Sequence, residues 1–317
     1  MTSHRICVAP MMDWSDRHYR FFMRQINAEA LVYTEMITTG ALIHGDVPRH
    51  LDFSKEEHPV GLQLGGSEPD ELAHCARLGE QYGYDEINLN IGCPSERVQK
   101  GAFGACLMAE PKLVAECVQA IREAVSLPVT VKHRTGINDV ESYDFLNDFV
   151  SVVSKAGCNT FIVHARNAIL KGLSPKENRE IPRLKHGYVY QLKADFPALE
   201  FIINGGIVSH EQMEAHLQHV DGVMLGRAAY HNPWVLADPG TRRAEVVLKM
   251  KNYLEKQSNL PVRAVARHML GLYHATPRAR LWRRMLSDAE LLRRNDPQLL
   301  VETLAAVEGR GSIMMAA

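Results

Sequence analysis

Several residues in this sequence stand where their side chains could do chemistry, and Cys93 is the sharpest of them. It lies in Gly92-Cys93-Pro94-Ser95, where Pro94 must turn the chain out of any regular strand. An unperturbed thiol ionises near pH ~8.5, so at neutral pH it is mostly protonated and can serve as a general acid. Lys132 ends an apolar run, Val129-Thr130-Val131-Lys132, and His164 ends another, Phe161-Ile162-Val163-His164, with Arg166 two residues on. A lysine on an apolar strand is either ion-paired for structure or a functional cation, and a lone histidine there is more often a satisfied core residue. A place at the end of its strand favours the functional reading of the lysine, and Arg166 close by favours that of the histidine. Asn204-Gly205-Gly206 and Gly226-Arg227 would let backbone N–H groups approach a phosphate, with Arg227 adding charge-assisted bonds. Tight-turn glycine is the plain alternative for either pair alone. Gln63 could present its amide to the edge of a heterocycle. Cys7, Cys75, Cys117 and Cys158 read as small buried hydrophobes.

These residues meet only if the chain between them builds the right frame. Segments 6–10, 31–36, 60–64, 86–91, 129–133, 161–164, 201–203 and 222–225 are rich in Val, Ile, Leu and Phe, as suits a parallel sheet covered on its outer face. Helical periodicity separates most of them: 71–82 carries Leu72, Cys75, Ala76 and Leu78 on one side, and 112–125 follows Pro111 with Val114, Cys117, Val118 and Ile121 on one stripe. This is the pattern of an α/β chain folded as a (β/α)8 TIM barrel over residues 1–240. A doubly wound sheet would announce a Gly-x-Gly-x-x-Gly turn after its first strand, where this chain has Pro10-Met11-Met12-Asp13-Trp14. From Thr241 on the pattern is helical throughout, with stretches around Leu248–Leu254, 262–273 and 281–292, so residues 241–317 are expected to form a small all-α domain, frayed over 309–317. In a parallel barrel, chemistry gathers at the carboxyl ends of the strands, and there the cation, imidazole, amide and phosphate grip would share one mouth. That set suits flavin mononucleotide (FMN).

Composition narrows the field further. The 317 residues hold 36 Lys and Arg against 37 Asp and Glu, with 46% hydrophobic residues, which is ordinary for a folded globular chain. No apolar run approaches the ~18 residues of a membrane span, and the N-terminus has no secretory pattern, so a cytoplasmic protein is expected. The six cysteines include no Cys-x-x-Cys pair, which speaks against a zinc site or a disulfide framework. The near-zero net charge conceals two halves: residues 241–317 hold 14 basic and 7 acidic residues, and residues 1–240 hold 22 and 30. The basic tail would suit nucleic-acid phosphates or, more plainly, a solvated helical face.

Over residues 6–235 the sequence resembles the tRNA-dihydrouridine synthases, and their A subfamily in particular. The likeness rests on Ala9-Pro10-Met11-Met12-Asp13-Trp14, Tyr33-Thr34-Glu35-Met36, Gln63-Leu64-Gly65-Gly66, Glu86-Ile87-Asn88-Leu89-Asn90, Gly92-Cys93-Pro94-Ser95, Val131-Lys132, His164-Ala165-Arg166, Asn204-Gly205-Gly206-Ile207 and Gly226-Arg227. Gly172-Leu173-Ser174-Pro175-Lys176-Glu177-Asn178-Arg179-Glu180 and Ala279-Arg280-Leu281-Trp282-Arg283-Arg284 look like A-subfamily signatures.

The resemblance implies a reaction in which NADPH reduces bound FMN, hydride passes to carbon 6 of a tRNA uracil, and an acid protonates carbon 5. Its substrates would be D-loop uridines at tRNA positions 20 and 20a. It implies Cys93 as the acid. Pro10, Met11, Met12, Asp13, Gln63, Lys132, His164, Asn204, Gly205, Gly206, Gly226 and Arg227 would be cofactor residues, with Asn90, Lys176, Arg179, Arg280 and Arg283 as tRNA contacts. No metal and no membrane enter, and a monomer is expected.

The sequence departs from the family at His133, where relatives often carry a small hydroxyl residue, which bears on the shape of the flavin site. Two other readings compete: a flavin barrel acting on a small pyrimidine, as dihydroorotate dehydrogenases do, and an RNA-binding factor without catalysis. The basic tail and the Lys176–Arg179 loop disfavour the first. The intact set of Cys93, Lys132 and His164 disfavours the second.

Overall fold

The computed structural model describes residues 3–257 and 259–309, so the expected fraying lies, from residue 310 on, outside the described residues. Nine strands form one sheet: β1 (Ile6–Val8), β2 (Leu31–Tyr33), β3 (Ile37–Thr38), β4 (Val60–Gly65), β5 (Glu86–Ile91), β6 (Val129–Arg134), β7 (Thr160–His164), β8 (Glu200–Asn204) and β9 (Gly222–Leu225). All their pairings are parallel. β1 pairs with both β2 and β9, and β2 pairs with β4, so eight strands close a ring. β3 only extends the edge of β4. The expected (β/α)8 barrel is therefore the fold, followed by C-terminal helices.

The chain separates into two compact units, residues 1–12 with 30–226, and residues 13–29 with 227–317. In the first, alternation along each strand sends one set of side chains outward to the helices and the other into the lumen. On β5, Ile87, Leu89 and Ile91 are fully buried and outward, beneath the mutually packed helices Pro69–Tyr82 and Pro111–Ala124. Much of the lumen is apolar, filled by Cys7, Ala9, Leu31, Tyr33, Ile162, Ile202 and Met224. The four cysteines expected to be buried are so.

The amino-terminal floor of the barrel is a buried ion cluster. His4 meets Glu86 through Nε2 at 2.5 Å and Glu200 through Nδ1 at 2.9 Å. The Tyr33 and Thr130 hydroxyls donate to Glu86 Oε1, and Thr160 donates to Glu200. Burial opposes charge on His4, but the hydrogen bonds to Glu200 and Glu86 outweigh it and push the imidazole up to about 10. A group raised from 6.5 to about 10 contributes stability that is complete below pH 6.5 and is lost as pH rises to about 10. His4→Ala is therefore expected to cost about 3–5 kcal/mol near pH 6, since it leaves buried carboxylates without their cation. Urea melts of the two proteins check this: the gap should close as pH is raised to about 10, and a gap independent of pH would refute the ion cluster.

The second unit contains helices Arg17–Ile26, Arg227–His231, Arg243–Lys256, Val262–Met269, Ala279–Ser287, Ala289–Arg293 and Gln298–Glu308. Asp16 caps the first of these through Tyr19 N–H and pairs with Arg267 and His268. Those bonds outweigh its burial and hold its carboxyl well below the ordinary range. Trp282, fully buried, donates from Nε1 to Met269 O at 2.8 Å and packs against Tyr273. That anchorage turns Arg280 and Arg283 of the same helix outward, where both are exposed.

Candidate active site at the carboxyl rim

The inner face of β5 is polar, Glu86, Asn88 and Asn90, and it begins a ladder that climbs the lumen to Cys93. Thr130 bonds Glu86 and accepts from Asn88 Nδ2 at 2.8 Å. Asn88 Oδ1 accepts from Gln63 Nε2 at 2.7 Å, and Gln63 Oε1 accepts from Asn90 Nδ2 at 2.8 Å. Asn90 Oδ1 in turn takes the backbone N–H groups of Gly92, at 3.1 Å, and Cys93, at 2.9 Å. Gln63 thus has both ends of its amide engaged within the barrel, and Asn90 is a buried residue that seats the Cys93 loop.

A second set of contacts completes that seat. Pro94 ends the strand path and Ser95 caps the short helix Glu96–Lys100 through Val98 N–H. The Cys93 carbonyl accepts from Ala105 N–H at 3.0 Å, and its thiol lies 3.6 Å from Ser95 Oγ. Gly104, at φ +76°, is bare where a Cβ would fall 2.7 Å from the Cys93 carbonyl oxygen. Only glycine fits there without moving the loop. Cys93 remains partly exposed at the carboxyl rim.

Sheet register brings the other candidates to the same rim. Asn90 pairs with Lys132, and the row Arg134, His164, Asn204 and Met224 runs across β6 to β9. Lys132 Nζ approaches Asn204 Oδ1 at 3.4 Å, and Asn204 Nδ2 donates to Met224 O at 2.8 Å. Gly205 and Gly206 turn with φ +115° and +76°. A Cβ on Gly205 would come 2.9 Å from the His164 ring. His186 donates to Gly205 O, which fixes the turn. Gly226 follows β9, with Ala9 and the Met11 sulfur nearest to it. Pro10 and Met11 are half-buried and Met12 is exposed, all in the first unit, whereas Asp13 and Arg227 belong to the second.

Electrostatics at this rim run one way. Burial, then Arg134, brings Lys132 down to about 7. Burial together with Arg134, Lys132, Arg166 and Arg179 holds His164 well below its usual range, so it is neutral. Arg134 falls to about 10 through burial, with Arg179 and Arg166 adding to the effect. Crowded, mutually repelling cations are the state expected of a site that takes an anion.

His133 alternates with Lys132 and points away from the lumen, against Phe149 and Phe161. Its Nδ1–H donates to Arg134 O at 2.7 Å, and burial brings it down to about 4. The departure from the family at this position therefore lies behind the site's wall. Lys176 and Arg179 are exposed on the 172–180 loop. No role was expected of Arg134, Asn88, Thr130 or Gly104. The strict alternation of Glu86-Ile87-Asn88-Leu89-Asn90-Ile91 was the available signal for a polar lumen. Among the described residues no group of His, Cys, Asp or Glu is arranged to hold a metal, and no helix is long and apolar enough to cross a membrane.

Fold and rim together define a TIM-barrel protein that gathers a thiol, buried cations and a glycine turn at the carboxyl ends of its strands, where barrel enzymes carry their chemistry. The chain belongs to the dihydrouridine synthase (Dus) family, whose sequence profile matches residues 7–308. It is 53% identical over 321 residues to the tRNA-dihydrouridine(20/20a) synthase of Synechocystis sp., covering 98% of this chain and 96% of that one. To the proteins of the same name from Shewanella oneidensis and Escherichia coli K12 it is 56% identical, over 89% and 90% of this chain and 87% and 86% of theirs. A solved 2-naphthoyl-CoA reductase in complex with 2-naphthoyl-CoA shares the fold, with a TM-score of 0.56 at 10% identity. That match covers 73% of this chain and 49% of the reductase, so this chain spans about half of that structure's length.

Proposed function

We propose that this protein reduces uridine to 5,6-dihydrouridine at positions 20 and 20a in the D-loop of tRNA, with FMN as the bound carrier and NADPH as the reductant. The observation that carries this reading is the seating of a partly exposed thiol, Cys93, on the same rim as the buried Lys132, the neutral His164 and a glycine turn. FMN, held by these rim residues, would supply the hydride chemistry at carbon 6 of the uracil, with NADPH as the source of its electrons.

The chain's own residues do the rest. The Cys93 thiol gives its proton to carbon 5, and the resulting thiolate regains a proton from solvent. Asn90 and Ala105 fix the backbone that aims the thiol. Lys132 stabilises negative charge at the rim, and neutral His164 offers a ring nitrogen to the cofactor. The Gly205-Gly206 turn and Gly226 receive the phosphate, and Pro10, Met11 and Met12 line the cofactor's place; Gln63, its amide taken at both ends by Asn88 and Asn90, supports that site from below. Family likeness adds Asp13 and Arg227.

Lys176 and Arg179, with Arg280 and Arg283 on the basic helices, take tRNA phosphates, offsetting the few kcal/mol needed to extrude the target base. On this reading residues 1–240 form the catalytic domain and the basic helical region from 241 the tRNA-binding domain of a cytoplasmic monomer.

The test is spectroscopic. Under anaerobic conditions NADPH should bleach the flavin band of the purified protein, and unmodified tRNA should restore it. Reoxidation by free uridine or orotate as fast as by tRNA would favour the small-pyrimidine enzyme instead. In the same assay Arg280→Ala with Arg283→Ala should leave bleaching unchanged, weaken tRNA binding and flatten the log–log salt slope by about 1 to 2. An unaltered salt slope would remove these two arginines from the tRNA surface.

A further inference from the structure

Arg134 is a buried guanidinium whose hydrogen-bond partners are all carbonyl oxygens, drawn from the loop after β5 and from two points of the long connection after β7. Its side chain is 3% exposed. Nε donates to Gly92 O at 3.0 Å, and Nη1 donates to Asn167 O at 3.0 Å and Asn178 O at 2.8 Å. The groups that act on its charge are Cys93, Arg179 and Arg166, with no carboxylate among them. A buried cation is tolerated when its donors are satisfied, and here three peptide oxygens do this without cancelling the charge.

The far end of that connection has its own anchor. Asn178 is fully buried; its Nδ2 donates to Ile169 O at 2.8 Å and Leu173 O at 3.2 Å, and its Oδ1 accepts from Ile169 N–H at 2.8 Å. Lys176 and Arg179 flank it on the same loop and are exposed. Asn178 thus fastens the basic loop to itself, and Arg134 fastens that loop to the residue preceding Cys93.

We propose that Arg134 is a positioning residue that clamps the Cys93 loop to the 172–180 loop, so that the proton donor and the loop bearing Lys176 and Arg179 hold one fixed geometry. A planar fork with donors in fixed directions can span three carbonyls, whereas an ammonium is a compact charge that satisfies them one geometry at a time. Charge alone is therefore not enough at this position. The consequence for turnover rests on the function proposed above, but the clamp does not.

Hydrogen exchange read by mass spectrometry, on flavin-loaded protein without tRNA, separates the two. In Arg134→Gln and Arg134→Lys, peptides covering 92–95 and 174–180 should both exchange faster, on the order of 10-fold, as expected for loss of hydrogen bonds to a charged group. Flavin content should stay at wild-type level while turnover on tRNA falls roughly 10- to 100-fold in both variants. Wild-type exchange and turnover in Arg134→Lys would overturn the clamp in favour of charge alone. Loosening of one segment without the other would overturn the coupling. Should the Gln variant fail to fold, the Lys variant carries the same test. If both segments loosen in a protein whose wild type never reduces uridine, the clamp stands and the assigned reaction falls.

Discussion

Cys93→Ala is expected to keep FMN bound and to lower dihydrouridine formation ~10²- to 10⁴-fold, the usual contribution of a positioned general acid. The seat of the loop is made of backbone: Asn90 Oδ1 holds the Gly92 and Cys93 amides, and Ala105 N–H holds the Cys93 carbonyl. Removing the thiol leaves those bonds in place, so the loss should be confined to the proton-transfer step. Single-turnover mixing of NADPH-reduced protein with tRNA measures this directly. Flavin reduction by NADPH should match wild type while reoxidation by tRNA slows by the full factor. Cys93→Ser should be nearly as slow, because a hydroxyl is a far weaker acid than a thiol. Wild-type reoxidation in Cys93→Ala would take the residue out of the mechanism.

Lys132→Met should cost ~10²- to 10³-fold in the same reoxidation step, the scale seen when one preorganised donor to developing negative charge is removed. Lys132 differs from a surface lysine because burial and Arg134 bring it to about 7. Without an anion beside it, the amine therefore loses much of its charge above neutrality, and an incoming anion must restore the proton. Binding of reduced FMN, whose ring is an anion, should accordingly take up a proton at pH 8.5, and its affinity should weaken as pH rises above about 7. Titration calorimetry in buffers of different ionisation enthalpy reads that proton, and Lys132→Met should abolish its uptake. Binding without proton uptake in the wild type would show that Lys132 does not meet the anion.

The frame of this site was largely legible because strand periodicity and barrel topology are local and repetitive. β5 and β9 begin and end where their apolar runs do. Segment 31–36 read as one strand, yet β2 stops at Tyr33. There the Thr34 hydroxyl takes the Gln63 N–H, a side chain replacing a ladder bond, before β3 resumes pairing with β4. Segment 281–292 read as one helix and is broken at Asp288, whose carboxylate caps Glu290 and Leu291. Neither substitution of side chain for backbone has a periodic signature.

Within the site, Cys93, Lys132, His164 and the glycine turn could be found because strand ends were known to share one rim. Arg134 also ends a strand on that rim, but neither its role nor that of Asn178 could be read, because their partners are peptide carbonyls. Any residue supplies such a carbonyl, so the sequence marks neither end of the bond.

Site-resolved mass mapping of one unmodified tRNA, incubated with the purified protein and NADPH, tests the central claim most directly. A gain of two hydrogens on uridines 20 and 20a, and on no other nucleotide, is the predicted result. Those uridines left unchanged by a protein that has visibly bound and cycled its flavin would contradict it.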